Sequence, residues 1–419
     1  MSSIDELIRA HCPAGVEYKP LADLALTVPG LRGKTKADFA GGAARYVSYK
    51  NAYNNAAVDQ AAPNFVVLRP DEKQNELHLG DVVVTASSEN IDDVGMSSVV
   101  VTEPSEPLYL NSFCFGLRFS DPEQFLPEFN KYLFRSEAVR AQIRRSAQGV
   151  TRINISKPRF MKVRIPVPPI EVQREVARVL DRFTELDGEL EAGLRAELRD
   201  RRRQYHHLRD ALLTFSDVPE MPWQPMSEVG AFTRGKRFTK ADVVPEGIAS
   251  IHYGEIYTGY GVSADQALSR VKPDLAPALR FAKRGDVIIA GVGETVEDVA
   301  KAVAWLGDED VAFHDDCWAF RSGMNPKFVA YYLQTRKFGA DKRKHVVRAK
   351  VKRISASGLG RIQIPLPARE TQDRIVSILD KLDALISELA TELQAELKAR
   401  RTQFECSRDE LLTFEGTVA

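Results

Sequence analysis

No run of this chain is apolar for the roughly 20 residues that cross a bilayer, so a spanning helix is excluded and no membrane partner is expected. The opening MSSIDELIRA has neither the basic start nor the apolar centre of a secretory signal, and a cytoplasmic location is expected. Cysteine is scarce. Cys12, Cys114, Cys317 and Cys406 are scattered without CxxC or paired spacing, which argues against a thiolate zinc site and a disulfide framework. Net charge is zero, so no global basic pull toward a polyanion exists.

Cofactor motifs are incomplete as well. Gly230 to Gly235-Lys236 has the spacing of a phosphate loop but ends in Arg237, and Gly33-Lys34-Thr35 has the ending but Val28 where the first glycine belongs. Gly291-Val292-Gly293 lacks the third glycine of a dinucleotide fingerprint. There is no Asn/Asp-Pro-Pro-aromatic motif of an amino-methyltransferase and no carboxylate cluster with a following lysine. His206-His207 have no ligand companions, and His314 with Asp315-Asp316 has no acidic counterpart around Asn111-Ser112. No catalytic residue and no metal ligand is assigned.

What the chain has is a repeat. Residues 165–215 match residues 364–414 without a gap, with 23 of 51 positions identical. Both copies open Ile-Pro-x-Pro, continue through a Glu and a Gln, and then place apolar residues three and four apart on one helical stripe. In the first copy the stripe is Val176, Val179, Phe183, Leu186, Leu190, Leu194, Leu198, Tyr205 and Leu212; in the second it is Ile375, Ile378, Leu382, Leu385, Leu389, Leu393, Leu397, Phe404 and Leu411. Without an interior proline, each copy predicts one long helix of about 43 residues. A narrow stripe of that length is best covered by a second helix like itself, and the two steps of four at 190–194–198 recur at 389–393–397, so the pair is matched in register.

The repeat extends into the flanking sequence. Tyr18-Lys19-Pro20 corresponds to Trp223-Gln224-Pro225, Arg32-Gly33-Lys34 to Arg234-Gly235-Lys236, Tyr49 and Tyr53 to Tyr253 and Tyr257. Gly80-Asp81-Val82 corresponds to Gly285-Asp286-Val287, and Glu89 and Asp93 to Glu294 and Asp298. The organisation expected is therefore α+β. Two pseudo-twofold-related mixed α/β globular domains, residues 1–164 and 217–363, are separated by two long helices, 165–216 and 364–419, that form an antiparallel coiled coil. Ser216 to Pro225 is read as the linker between the halves.

Charge is distributed unevenly. Residues 131–164 carry ten cations and one acid, a local +9, and residues 336–353 carry nine cations and one acid, a local +8. Two basic segments at equivalent places point to a polyanion, and duplex DNA suits a twofold protein. Loops that supply Arg, Lys, Asn, Ser and Tyr can hold phosphates and reach base edges. The candidates in the first domain are Arg32, Lys34, Lys36, Tyr49, Asn51, Asn54, Ser87, Ser88, Asn90, Arg144, Arg145, and Gln148 to Arg152, Thr151 included. Those in the second are Arg234, Lys236, Arg237, Lys240, His252, Tyr253, Tyr257, Thr258, Lys342, Arg343, Lys344, Arg348 and Lys350.

The duplicated Ile-Pro-x-Pro and Glu-x-Gln run, the Gly-Asp-Val strand and the opening Cys12-Pro13-Ala14-Gly15-Val16-Glu17-Tyr18 resemble the specificity subunit of type I restriction-modification enzymes, and the resemblance covers essentially the whole chain. It implies that each globular half is a target recognition domain reading one half of a bipartite double-stranded DNA site, and that the helices are spacers. It implies two modification (methyltransferase) subunits and, for cleavage, restriction subunits as partners. No cofactor is expected in this chain, because S-adenosylmethionine, ATP and Mg2+ belong to those partners in the family. The other readings are a coiled-coil protein scaffold without DNA specificity, a member of a methylation-only system, and a standalone type II fusion, the last needing catalytic motifs that are missing here.

Overall fold

The computed structural model describes residues 3–215, 218 and 220–417. The chain divides into two compact units, Met1–Gly193 with Ala395–Ala419, and Leu194–Gln394. The two long helices, Ile170–Thr214 and Arg369–Leu411, each begin in one unit and end in the other.

In the first unit an antiparallel sheet runs in the order Ala25–Pro29, Cys114–Phe119, Val82–Thr85, Ser97–Val99. The strand Val82–Thr85 is buried on both faces, which is why it reads as an unbroken β-branched run. Val82 and Val84 face helices Pro127–Leu133 and Glu137–Ser146 and the start of the first long helix, in one core with Phe129, Ile143, Val172, Val176 and Leu180. Val83 joins a separate cluster with Val47, Leu77, Val100 and Leu110 under a smaller sheet, in which Ala44–Val47 pairs parallel with Leu108–Leu110. The second unit repeats this plan with longer sheets. Val287 and Ile289 pack with Phe320, Phe328, Leu213, Ile375 and Leu379, while Ile288 and Ala290 pack with Trp305 and Phe313.

The Gly-Asp step before each central strand has a local cause. Gly80 and Gly285 take φ of 84° and 95°, where a side chain is strained, and turn the chain so that the next aspartate points inward. Asp81 accepts a bond from the His78 N–H at 2.9 Å and the Arg118 guanidinium at 2.6 and 2.8 Å. Asp286 does the same with Lys283 N–H at 2.8 Å and Arg321 at 2.6 and 2.7 Å.

The Ile-Pro-x-Pro…Gln signature also has a physical meaning. Arg164–Pro166 pairs antiparallel with Tyr18–Pro20, and Gln363–Pro365 pairs with Trp223–Pro225. Gln173, fully buried, then accepts from the Leu126 N–H at 2.9 Å and donates to the carbonyls of Gln124 at 2.9 Å and Pro168 at 2.8 Å. Gln372 accepts from the Asn325 N–H at 2.8 Å and donates to Pro367 at 2.8 Å. Two turns further on, Asp181 accepts from Tyr132 and pairs with Lys131, each at 2.6 Å, as Asp380 does with Tyr331 at 2.8 Å and with Lys327. Each long helix is thereby fixed to the helix Pro127–Leu133 or its counterpart Pro326–Tyr332.

Two expectations are corrected. Trp223–Pro225 is a paired strand, so the linker is shorter than Ser216–Pro225; of its residues, Ser216, Asp217 and Pro219 lie outside the described residues. The apolar stripe also sits differently. Phe183, Leu186, Ile378 and Leu385 are 43%, 44%, 39% and 60% exposed, whereas Val172, Ala177, Leu180, Val376 and Leu379, absent from the expected stripe, are buried. The first turns of each helix turn their apolar face to a globular core, and one partner helix covers only a narrow seam beyond it. Val176, Ile375 and Leu393 are buried as expected. Val179, Leu190, Leu194, Leu198, Leu382, Leu389 and Leu397 are half-buried. Within the second unit Tyr205 and Leu208 of the first long helix line one groove with Leu382, Leu385 and Leu389 of the second. In the first unit Phe404 lies 6.3 Å from Tyr132, and Leu411 and Leu412 reach the core that holds Val176.

Replacing Gln173 or Gln372 by Ala leaves buried backbone groups without partners. Each change is expected to cost about 1–3 kcal/mol in denaturant unfolding, whereas the exposed Gln403→Ala should be within error of the parent.

Candidate nucleic-acid interface

Part of the first-domain set comes together in one cleft. Helix Tyr49–Asn54 supplies Tyr49 and Tyr53, strand Ser87–Ser88 supplies its two serines, and the hairpin Ala147–Ile155 supplies Thr151 and Arg152. With Glu89, Asn90, Asp93 and Phe113 they line an open cleft of about 820 Å3. The hairpin pairs with the serine strand through Ile153↔Ser88 and Asn154↔Ser87. Gly149 makes its tip possible: φ is 115°, and a Cβ there would stand 2.3 Å from the Arg152 carbonyl oxygen. Val150 beside it is 96% exposed.

Side chains in the cleft are pre-positioned. The Tyr49 hydroxyl donates to the Ser87 carbonyl at 2.8 Å, and its ring stacks on Tyr53 at 6.2 Å. Burial pushes the Tyr49 phenol above its ordinary pKa, and a hydrogen bond to Asp93 does so for Tyr53. The Arg152 guanidinium donates to Ser87 Oγ at 3.0 Å and lies 5.4 Å from the Phe113 ring. Phe113, half exposed, was not among the sequence candidates for base contact, and a lone aromatic in a loop carries no periodic signal that would have marked it.

The second domain builds the same place with different chemistry. Val292–Gly293 pairs with Lys352–Arg353 as Ser87–Ser88 pairs with Ile153–Asn154. The strand carbonyl is again held by a tyrosine, but Tyr257 donates to Val292, one helical turn beyond the position equivalent to Tyr49. Its hairpin tip carries exposed Arg348 and Lys350, which have no ion-pair partner among the described residues, in place of Gly149 and Thr151. Tyr253, His252, His314 and Phe238 form an aromatic cluster with ring separations from 4.3 to 6.2 Å. Burial holds both histidines below their ordinary pKa.

The remaining candidates separate into free and engaged groups. Arg32, Lys36, Asn54, Arg145, Lys236, Arg237, Lys240 and Thr258 are at least partly exposed. Arg144 pairs with Glu137, Arg234 with Asp315 at 3.5 Å, Arg343 with Glu297 at 3.0 Å and Lys344 with Asp341 at 2.9 Å, all at the surface. Four candidates are engaged inside the fold, a correction to their reading as free DNA contacts. Lys34 is buried at its side chain against Glu72 and the Val67 carbonyl. Asn51 is buried and binds Asp59 through both its amide and its carbonyl group. Tyr257 spends its hydroxyl on Val292. Lys342 is 6% exposed and donates to the carbonyls of Glu297 and Val299, and desolvation lowers its pKa to about 8. Sequence counts charge but not direction, so a lysine turned inward reads like one turned out.

His314, Asp315 and Asp316 place ligand-type atoms within 4.8 Å of one another. All three are already engaged. His314 Nδ1 accepts from the Asp316 N–H at 3.1 Å, and the two carboxylates pair with Arg234 and Arg353. Among the described residues no helix is long and apolar enough to cross a membrane.

Comparison with known proteins follows the same division. A family model described as type I restriction modification DNA specificity domain matches residues 13–200 and 281–399, one match reaching into each long helix. The type I restriction enzyme EcoR124I/EcoR124II specificity subunit of Escherichia coli is 28% identical over 281 residues, which span 60% of this chain and 63% of that protein, just under two thirds of its length. A chain from a structure described as the basis of complex assembly and conformational transition of the type I R-M system matches with TM-score 0.70 at 17% identity, covering 95% of this chain and 97% of that one. The HsdS subunit from Thermoanaerobacter tengcongensis matches with TM-score 0.54 at 18% identity, covering 96% and 97%. Both likenesses are of fold.

The placement of Lys342 has a measurable consequence. Its folded pKa, about 8, lies below the ordinary 10.5, so between these values the unfolded chain binds more protons and stability rises with pH. Below pH 8 both states are protonated and the contribution is flat. Measured by denaturant unfolding, the difference between the parent and Lys342→Gln should therefore change across pH 8 to 10.5 and stay constant below it.

Proposed function

The chain belongs to the type I restriction-modification DNA specificity family, and from that premise we propose that it is the DNA-recognition subunit of such a system. In this reading it takes a bipartite double-stranded site, one half in each globular domain. The chain itself carries out no chemistry. It positions modification subunits, and restriction subunits where these are present, and S-adenosylmethionine, ATP and Mg2+ act on those partners.

One observation carries the reading. Both domains build a hairpin against a short strand whose carbonyl is held by a tyrosine, yet they fill that common frame with different side chains. A shared frame with exchanged side chains suits two readers of different sequences. Ser, Asn and Arg around the first cleft offer donors and acceptors to base edges, and Arg348 and Lys350 offer charge to phosphates.

The test is exchange. Replacing residues 1–164 with the equivalent part of a relative, assembled with the modification subunit, should change one half of the methylated motif and leave the other unaltered. If both halves change together, recognition is not divided between the domains. Full-length chain with no partner should transfer no methyl group, and transfer by rigorously purified chain would contradict the non-catalytic role.

The rival reading, a scaffold that binds proteins and not DNA, is separated by salt. Neutralising Arg348 and Lys350 to Gln should flatten the dependence of log K on log salt by about 0.9 for each phosphate that is no longer neutralised. Lys342→Gln, whose charge faces inward, should leave that slope alone. A slope unchanged in the first variant returns these groups to solvated surface.

A further inference from the structure

The first long helix carries charge that the hairpins do not account for. Arg199, Arg202, Arg203 and Arg209 line, with Arg336 and Arg343 of the second domain, a cleft of about 920 Å3. Lys301 makes seven cationic side chains against two carboxylates in the wall, Glu297 and Asp383, while Lys342, also in the wall, turns its ammonium inward to two carbonyls. Of these two, Glu297 is already taken by Arg343 at 3.0 Å.

Acids behind the wall hold part of the surplus. Asp210 pairs with Arg209 at 2.8 Å and Arg336 at 3.1 Å, Asp298 with Lys301 at 3.3 Å, and Asp200 with Arg203 at 3.4 Å. Arg199 and Arg202 are exposed and have no ion-pair partner among the described residues. Unpaired guanidinium groups gathered in a concavity repel one another, and a polyanion relieves that repulsion. Their planar forks suit phosphate oxygens.

The far wall of the cleft identifies which polyanion. It includes Tyr257, whose hydroxyl holds the Val292 carbonyl beneath the hairpin of the second reader. We infer that the cleft takes the sugar-phosphate backbone of the duplex flanking the second half-site, so that the first long helix is itself a sequence-independent DNA-binding element. This rests on the reading of the chain as a DNA-recognition subunit. The grip is asymmetric, because the matching positions of the second long helix are Lys398, Arg401, Thr402 and Glu405, where Arg199, Arg202, Arg203 and His206 stand in the first.

The experiment compares the full-length chain with its R199Q/R202Q/R203Q variant on a duplex carrying the target, across salt, with ethylation interference to mark phosphates. Glutamine keeps the helix propensity. The salt slope should flatten by about 2.7 if all three side chains meet phosphates, the bases selected should stay the same, and interference beside the second half-site should fade. The R199K/R202K/R203K variant should keep most of the slope, which separates charge from a folding defect. Unchanged slope and interference would overturn the inference. So would release of the modification subunit with DNA binding intact, which would make the cleft a protein-docking surface. If the unaltered chain does not distinguish target from random duplex, the recognition reading falls and this inference with it; if it does and the glutamine variant matches it, only the cleft assignment falls.

Discussion

One buried glutamine in each unit joins the globular part to its long helix. Gln173 and Gln372 sit in the first turn of their helices, where their backbone N–H groups bond to Pro169 and Ala368, and their side-chain amides serve the chain that precedes them. A buried primary amide held by several partners fixes position as well as stability, since any shift strands a donor or an acceptor. The tyrosine and aspartate two turns on, Tyr132 with Asp181 and Tyr331 with Asp380, fix the rotation of the helix about its axis. Within each unit the hairpin and the short strand it pairs with stand on a core that includes the same helix, so their placement depends on this attachment.

The frame of the molecule was largely legible in the sequence because it is duplicated. Two copies of Ile-Pro-x-Pro…Gln at constant spacing announced matched long helices, and Gly80-Asp81 and Gly285-Asp286 announced matched strands. Burial was legible only in part. Leu180 and Leu379 are core residues that a single-stripe reading passes over, because it assumes a helix covered by its partner and not by a domain. The Trp223–Pro225 strand was hidden by its prolines, which read as a linker although an edge strand of three residues tolerates them.

The interface was less legible, and for a different reason. Residues fixed by the frame and residues left exposed use the same alphabet of Arg, Lys, Asn and Tyr. Arg152 looks like any basic residue in sequence, but Ser87 and Phe113 orient it at a cleft. Lys342 looks the same and is sealed against two carbonyls. Even the repeat misleads at this level, since the alignment pairs Tyr49 with Tyr253 while the bond to the equivalent carbonyl is made by Tyr49 and Tyr257. A frame under common constraint and exposed groups under none is what divergence of two readers from one ancestor would leave.

The central claim is that one chain carries two readers of DNA. Selection of bound duplexes from a random pool by the full-length chain, followed by sequencing, tests it most directly. Two blocks of specified bases, separated by a gap of fixed length and no sequence preference, are the predicted result. A single continuous block, or no enrichment above the starting pool, would contradict it.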